Sequence, residues 1–159
     1  MADIYIAIGS NEQPGHNIRK ALNLLTRHCQ LIRESPWYSS AAVGSAEGRF
    51  VNLVVGAATA LAPAELVVEL KSIERMCGRL PTNQILDLDL LLYDDLVIND
   101  GAVRIPRDDI EKFAFVLKPL TDLAPMLCHP VLGKTYSEIW MASGLDAASL
   151  TVVSPNGLD

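Results

Sequence analysis

The sequence contains few cysteines, and their spacing argues against zinc binding and thiol redox chemistry. Cys29, Cys77 and Cys128 are an odd number at wide spacing, with no Cys-x-x-Cys pair among them. We expect all three to be buried free thiols. The chain has 159 residues, of which 50% are hydrophobic and 20% charged, so it can form a core without disulfides or a structural metal. We therefore expect one domain that covers residues 1–159.

The sequence also lacks an excess of positive charge and any long apolar run. Its 13 Lys and Arg against 19 Asp and Glu give a net charge of −6, which argues against nucleic-acid partners. No apolar stretch approaches the roughly 20 residues of a membrane-spanning helix, and no signal segment precedes the first predicted strand. We expect a cytoplasmic monomer without membrane partners. A small anionic ligand is still compatible, because a few local arginines or a bound cation can reverse the charge of one pocket.

Apolar runs and helical periodicities alternate along the chain and predict an α/β protein of the α+β type. The predicted strands are 4–9, 30–37, 50–60 and 86–93, with short pieces at 97–98 and 103–105, and the predicted helices are 16–28, 63–78, 111–117 and 135–142. This order predicts a ferredoxin-like split β-α-β-β-α-β fold with a mainly antiparallel sheet, helices on one face and a C-terminal helical extension. A doubly wound parallel sheet would need a helix between the second and third strands, where the sequence has a Gly/Ser-rich loop.

Asp87 and Asp89 alternate with leucines in the predicted strand 86–93. Residues two apart in a strand point to the same side, so the carboxylates share one face while the leucines pack toward the core. The two aspartate Cα atoms should lie about 6.6 Å apart, which lets both carboxylates bind one cation or a pair of cations. Oxygen ligands in this number suit Mg²⁺. The alternative is a solvent-facing edge strand with two ordinary acids, but aspartate disfavours strands, which favours the metal site.

Two other polar residues stand where a ligand could use them. Asn52 is surrounded by apolar residues in the predicted strand 50–60, so its amide must be hydrogen-bonded if it is buried. Such an amide can recognise a heterocycle, or it can bind a neighbouring loop. Arg79 follows the predicted helix 63–78 and could reach phosphates near the aspartates, although most such arginines are simply solvated.

Several segments together resemble the hydroxymethyl-dihydropterin pyrophosphokinases of folate synthesis. They are Ile-Ala-Ile-Gly-Ser-Asn at 6–11, Phe-Val-Asn at 50–52, Glu74 followed by Gly78-Arg79, and Leu-Asp-Leu-Asp-Leu-Leu-Leu-Tyr at 86–93. Their order and spacing make the resemblance specific, and it covers about residues 4–127. It implies the split βαβ fold and transfer of a diphosphate from ATP to the hydroxymethyl group of a dihydropterin.

The resemblance also implies roles for individual residues. Asp87 and Asp89 match the family's metal-binding aspartates and, with Arg79, would be the catalytic residues. The positions that match the acceptor pocket are Ser40, Val43, Phe50, Asn52 and Phe115. The positions that match the ATP site are Glu74, Arg79, Leu90, Arg104 and Arg107. The implied partners are ATP and a dihydropterin or a similar small heterocycle, and the implied cofactor is Mg²⁺, with two ions expected.

The sequence departs from the family pattern around the ATP site. The segment 80–85 is shorter than the family's catalytic loop and carries Gln84 where an arginine is expected. A second expected arginine is replaced by Phe113, and the usual Pro-His pair is Pro106-Arg107. Arginines stabilise charge on a transferring phosphoryl group, so their loss should lower the rate unless Arg104 and Arg107 replace them.

These departures leave two alternatives to the diphosphokinase. One is a relative that binds a pterin or related heterocycle without efficient ATP transfer. The other is a diphosphotransferase for a different small acceptor, because the aspartate pair is kept while the loop near the acceptor pocket is altered.

Overall fold

The computed structural model describes residues 1–41 and 49–158, which form eight strands and five α-helices in these two ranges. The strands are β1 (Ala2–Ser10), β2 (Cys29–Glu34), β3 (Trp37–Ala41), β4 (Arg49–Thr59), β5 (Asp87–Tyr93), β6 (Ile98–Asp100), β7 (Val103–Ile105) and β8 (Thr151–Val153). The helices are α1 (Pro14–Leu25), α2 (Pro63–Met76), α3 (Asp109–Lys112), α4 (Ala114–Leu123) and α5 (Tyr136–Ser143). Short 3₁₀ helices cover Ala147–Ser149 and Pro155–Gly157.

Six of the strands form one antiparallel sheet, and β6 and β7 form a separate hairpin. The sheet order is β5-β1-β4-β3-β8, and β2 pairs with the part of β4 that β3 leaves free. β1 pairs with β4 on one side and with the end strand β5 on the other. The expected mainly antiparallel α+β fold is therefore confirmed.

The two faces of the sheet are covered by different helices. On the first face, isoleucines of β1 and leucines of β5 pack against α1 and α2; this apolar cluster includes Ile6, Leu88, Ile18 and Leu70. The second face packs against α3, α4 and α5. The sequence predicted helices on one face only, whereas the C-terminal helices cover the other. Burying both faces explains why β1 and β4 are nearly continuous apolar runs.

Two elements that the sequence predicted as continuous are interrupted in the structure. The predicted strand 30–37 is two strands, because Pro36 has no N–H and interrupts the pairing with β4, along which β2 and β3 run in the same direction. The Ser35 hydroxyl accepts a hydrogen bond from the Val54 N–H at 3.0 Å in the gap. The predicted helix 111–117 is divided between α3 and α4, because Phe113 is extended and separates the two.

The end of the chain contains one confirmed and one missed element. The capping box predicted for the last helix is present: the Glu138 N–H donates to the Thr135 hydroxyl, and the Glu138 carboxylate accepts from the Thr135 N–H. The sequence did not predict β8, which pairs with β3. Cys29 and Cys77 are buried as expected, but Cys128 is exposed. Across the described ranges, no helix has the length and apolar character needed to cross a membrane.

Candidate active site

The register of β4, β1 and β5 places Asn52 and Asp87 in one row across the sheet, with Gly9 between them. Gly9 of β1 lies opposite Asn52 of β4 on one side and opposite Asp87 of β5 on the other. Asp89 lies opposite Ala7, one step further along the same face. Adjacent strands are about 4.8 Å apart, so the Cα atoms of Asn52 and Asp87 are separated by about 10 Å. The small residues of β1 leave room between the aspartates and the amide.

A cavity of about 200 Å³, which we call the acceptor cavity, lies between this row and α4. It contains six of the residues that the sequence predicted to form the site: Ser40, Phe50, Asn52, Asp87, Asp89 and Phe115. Its other lining residues include Gly9, Gln84 and Asp109. Val43, predicted to contact the acceptor, lies outside the described residues. These six residues come from four separate elements, and the fold brings them together around one cavity.

The acidic half of the cavity is balanced by arginines. Arg79 Nη2 lies 3.3 Å from Asp87 Oδ1, and Arg107 Nη1 lies 4.0 Å from Asp89 Oδ1. Burial raises the pKa of Asp89, and the positive charge of Arg107 partly offsets this effect. The second terminal nitrogen of Arg79, Nη1, is buried and has no hydrogen-bond partner among the described residues. A buried unpaired donor is costly, so this nitrogen is well suited to an anionic ligand.

Asp109 is a third acid of the site, and no sequence pattern predicted it. Arg107 Nη2 lies 3.6 Å from Asp109 Oδ1, so one guanidinium links Asp89 of the sheet to Asp109 at the start of α3. Its position two residues after Arg107 is the one sequence feature that could have indicated a role for Asp109. Only the tertiary fold, however, places α3 over the cavity. Asp109 therefore holds Arg107 beside the predicted metal residue.

The rest of the cavity lining includes an amide and two aromatic rings. Asn52 and Ser40 are both buried, and Asn52 Nδ2 donates to Ser40 Oγ at 3.4 Å. A Cβ atom at Gly9 would lie only 2.6 Å from Asn52 Oδ1, so glycine is needed for this close approach. Phe50 and Phe115 are half-buried on the walls. This arrangement is typical of a pocket for a flat heterocycle with hydrogen-bonding edges.

Glu74 supports the aspartate strand from α2. Its side chain is buried, and Oε2 accepts a hydrogen bond from the Leu88 N–H at 2.7 Å while Oε1 lies 3.3 Å from Lys71 Nζ. Burial raises the pKa of Glu74, although the Leu88 N–H and the Lys71 ammonium oppose this effect. Leu88 stands between the two aspartates, so Glu74 fixes the part of β5 that carries them.

A second cavity of about 40 Å³, which we call the small cavity, lies between α2, β5 and β7. Leu90, Arg104 and Arg107, all predicted to bind ATP, line it together with Lys71. Asp89 lines both cavities. A group bound at Asp89 would therefore contact ligands in both.

The oxygen ligands of the site fit magnesium only if a ligand completes the shell. The described ranges contain no group of three or more His, Cys, Asp or Glu side chains that could hold a metal ion by themselves. Mg²⁺ commonly binds one or two carboxylates and takes its remaining ligands from water and substrate phosphates. Asp87 and Asp89 match that donor set.

Comparison with known proteins agrees with this chemistry. The family model described as 7,8-dihydro-6-hydroxymethylpterin-pyrophosphokinase matches residues 5–125. A protein of Aquifex aeolicus named 2-amino-4-hydroxy-6-hydroxymethyldihydropteridine pyrophosphokinase is 33% identical over 87% of this chain and 90% of its own length. A Pseudomonas aeruginosa protein of the same name is 38% identical over 80% of this chain and 83% of its own length.

Solved structures share the fold at low sequence identity. The wild-type HPPK-DHPS of Plasmodium falciparum with pteroate superimposes with a TM-score of 0.74 at 14% identity, over 88% of this chain. A structure described as HPPK-DHPS in complex with substrates gives 0.74 at 13% identity over 89% of this chain. The chain spans only 44% and 43% of those two longer chains.

Replacing Gly9 by alanine should displace the Asn52 amide. The new Cβ would overlap Asn52 Oδ1, and we expect G9A to lower the free energy of unfolding in urea by about 1–3 kcal/mol. The control is G157A, where an added Cβ meets no atom within 4 Å. Equal stability of G9A and wild type would contradict the close approach.

The raised pKa of Glu74 should make stability fall with rising pH. The native state keeps this proton at a higher pH than the unfolded chain, whose ordinary value is 4.5. The free energy of unfolding should therefore decrease as pH rises from 4.5 through the raised pKa. Urea titrations between pH 4 and 8 should show a smaller decrease in the free energy of unfolding for E74Q than for wild type. Part of the decrease should remain in E74Q, because burial also raises the pKa of Asp89. The control E111Q removes an exposed carboxylate, and an unchanged slope in E74Q would refute the assignment.

Proposed function

The chain belongs to the 7,8-dihydro-6-hydroxymethylpterin-pyrophosphokinase family, and from this premise we propose that it transfers diphosphate from ATP to the hydroxymethyl group of 6-hydroxymethyl-7,8-dihydropterin. The observation that carries the proposal is the position of Asp89 between the acceptor cavity and the small cavity. A dihydropterin in the first and a nucleotide reaching from the second would meet at this carboxylate. The enzyme is a transferase.

Asn52, Phe50 and Phe115 would orient the acceptor. The Asn52 amide can bond to the polar edge of a pterin, while the two rings hold its flat faces. The 10 Å row from Asn52 to Asp87 lets a bicyclic ring bind the amide at one end and present its hydroxymethyl arm to the aspartates at the other. The acceptor oxygen then forms a bond to the β-phosphorus of ATP, and the bond from that phosphorus to the α,β-bridging oxygen breaks, releasing AMP. Positioning of this kind supplies much of the catalysis in phosphoryl transfer.

Asp87 and Asp89 would hold the magnesium that accompanies ATP. We propose two Mg²⁺ ions, which when bound would neutralise charge on the phosphates. Arg79 and Arg107 would then exchange their aspartate partners for phosphate oxygens, and the unpaired Nη1 of Arg79 supports this exchange. Leu90, Arg104 and Lys71 line the small cavity, which would hold a phosphate group of the nucleotide beside Asp89. Glu74 would act by holding β5, because its carboxylate is occupied by the Leu88 N–H.

Incubation with Mg²⁺, ATP and hydroxymethyl-dihydropterin should release AMP in proportion to enzyme. A panel of other small hydroxymethyl acceptors, run alongside, tests whether the altered loop has changed acceptor specificity. Absence of AMP above background at high enzyme concentration would refute the diphosphokinase.

Asp89→Asn should lower kcat by at least roughly a hundredfold, because the variant loses a charge beside the transferring group. Pterin binding, measured by calorimetry, should change little, since the ring contacts lie at the other end of the row. The control D95N removes the same charge from an exposed position just after β5 and should keep wild-type activity. Full activity in D89N would contradict the metal assignment.

Pterin binding without transfer is the second candidate function. It is favoured by Gln84, a neutral side chain on the wall of the acceptor cavity where the family pattern has an arginine. Calorimetric titration separates the two candidates: pterin binding without detectable Mg²⁺-ATP binding supports the binding protein, and tight nucleotide binding refutes it. The cytoplasmic location and the monomeric state expected from the sequence stay predictions.

A further inference from the structure

Phe113 is the single extended residue that joins α3 to α4. Its backbone angles are φ −124° and ψ 126°, outside the helical region. Its N–H donates to the Asp109 carbonyl at 3.1 Å, which ends α3, and its carbonyl accepts from the Val116 and Leu117 N–H groups at 3.1 and 3.0 Å, which begins α4. Both helices around this residue carry side chains that line the acceptor cavity, Asp109 on α3 and Phe115 on α4.

The ring of Phe113 stacks on the ring of Phe115. Their centroids are 4.9 Å apart and the planes meet at 18°. Phe115 lines the acceptor cavity, whereas Phe113 does not, so one ring contacts the ligand space and the other supports it. Both rings also pack against the apolar cluster on the second face of the sheet.

Phe115 needs such support because of its place in the helix. It is the second residue of α4, in a first turn where helices are least constrained, and its ring is only half-buried. Without a neighbour the ring could change rotamer, and a flat ligand would have to select one orientation at an entropic cost. The Phe113 ring covers one face of Phe115 and leaves the rest of the ring to the cavity.

We propose that Phe113 is a positioning residue for the acceptor: its ring holds the Phe115 ring in the orientation on which a flat heterocycle stacks. This inference rests on the proposed function, because it assigns Phe113 to acceptor binding at the same site. The resemblance to the family implies an arginine at this position, so the stack departs from that pattern. Phe113 acts on acceptor affinity through Phe115 and leaves phosphoryl transfer unchanged.

The variants F113A and F113L test this role. Both remove the stack, while F113L keeps an apolar side chain between the helices. We expect the Kd for hydroxymethyl-dihydropterin, measured by calorimetry with Mg²⁺ and a non-hydrolysable ATP analogue, to rise roughly threefold to tenfold in both. The acceptor KM should rise equally, while kcat and the KM for ATP should stay within about twofold of wild type.

The matched control is L123A, which removes a partly buried apolar side chain of the same cluster at the other end of α4. It should lower the melting temperature about as much as F113L but leave the acceptor Kd unchanged. Wild-type acceptor affinity in F113A and F113L, or an equal loss of affinity in L123A, would overturn the positioning role while leaving the proposed function intact. Failure of the wild-type protein to bind the acceptor would instead refute the proposed function, and this inference with it.

Discussion

The pairing of β1 with both β4 and β5 is the constraint on which the rest of the structure depends. Its register places Gly9 between Asn52 and Asp87. Because side chains alternate along a strand, a shift of one residue would turn the aspartates toward the apolar first face and the leucines toward the cavity. Core packing and site geometry are therefore specified by the same hydrogen bonds, and the buried isoleucines of β1 resist such a shift.

Charge is balanced within the site by nearby side chains. Three carboxylates line one end of the acceptor cavity, and two guanidinium groups contact these carboxylates. Like charges on neighbouring residues of one strand would repel strongly, and Arg79 and Arg107 reduce this repulsion in the folded chain. A magnesium nucleotide carries both cations and anions. Its Mg²⁺ would pair with the carboxylates and its phosphates with the guanidinium groups, so no charge would be left unpaired. In the proposed function, this exchange would let a protein of net negative charge accommodate a polyphosphate.

Local patterns predicted much of the fold and of the site, and the failures have physical causes. The alternation at 86–93 correctly placed Asp87 and Asp89 on the cavity face. Asn52 is buried, and its amide has the hydrogen bond that the sequence required of it in that case. Asp109 was missed because only the packing of α3 on the sheet brings it to the cavity that Asp87 and Asp89 line. The extended Phe113 was missed because its conformation depends on tertiary contacts of two helices, and the three residues of β8 carry too little pattern.

The outer side of β5 shows a further consequence of the contacts around the aspartates. β5 is the end strand of the sheet, and such strands expose backbone groups that can pair with another chain. Here the Glu74 carboxylate accepts from the Leu88 N–H, and the Arg107 N–H donates to the Leu91 carbonyl at 3.1 Å. Glu74 and Arg107, which contact the aspartate strand, thus also block strand addition at this edge, so protection against aggregation and the geometry of the site depend on the same bonds.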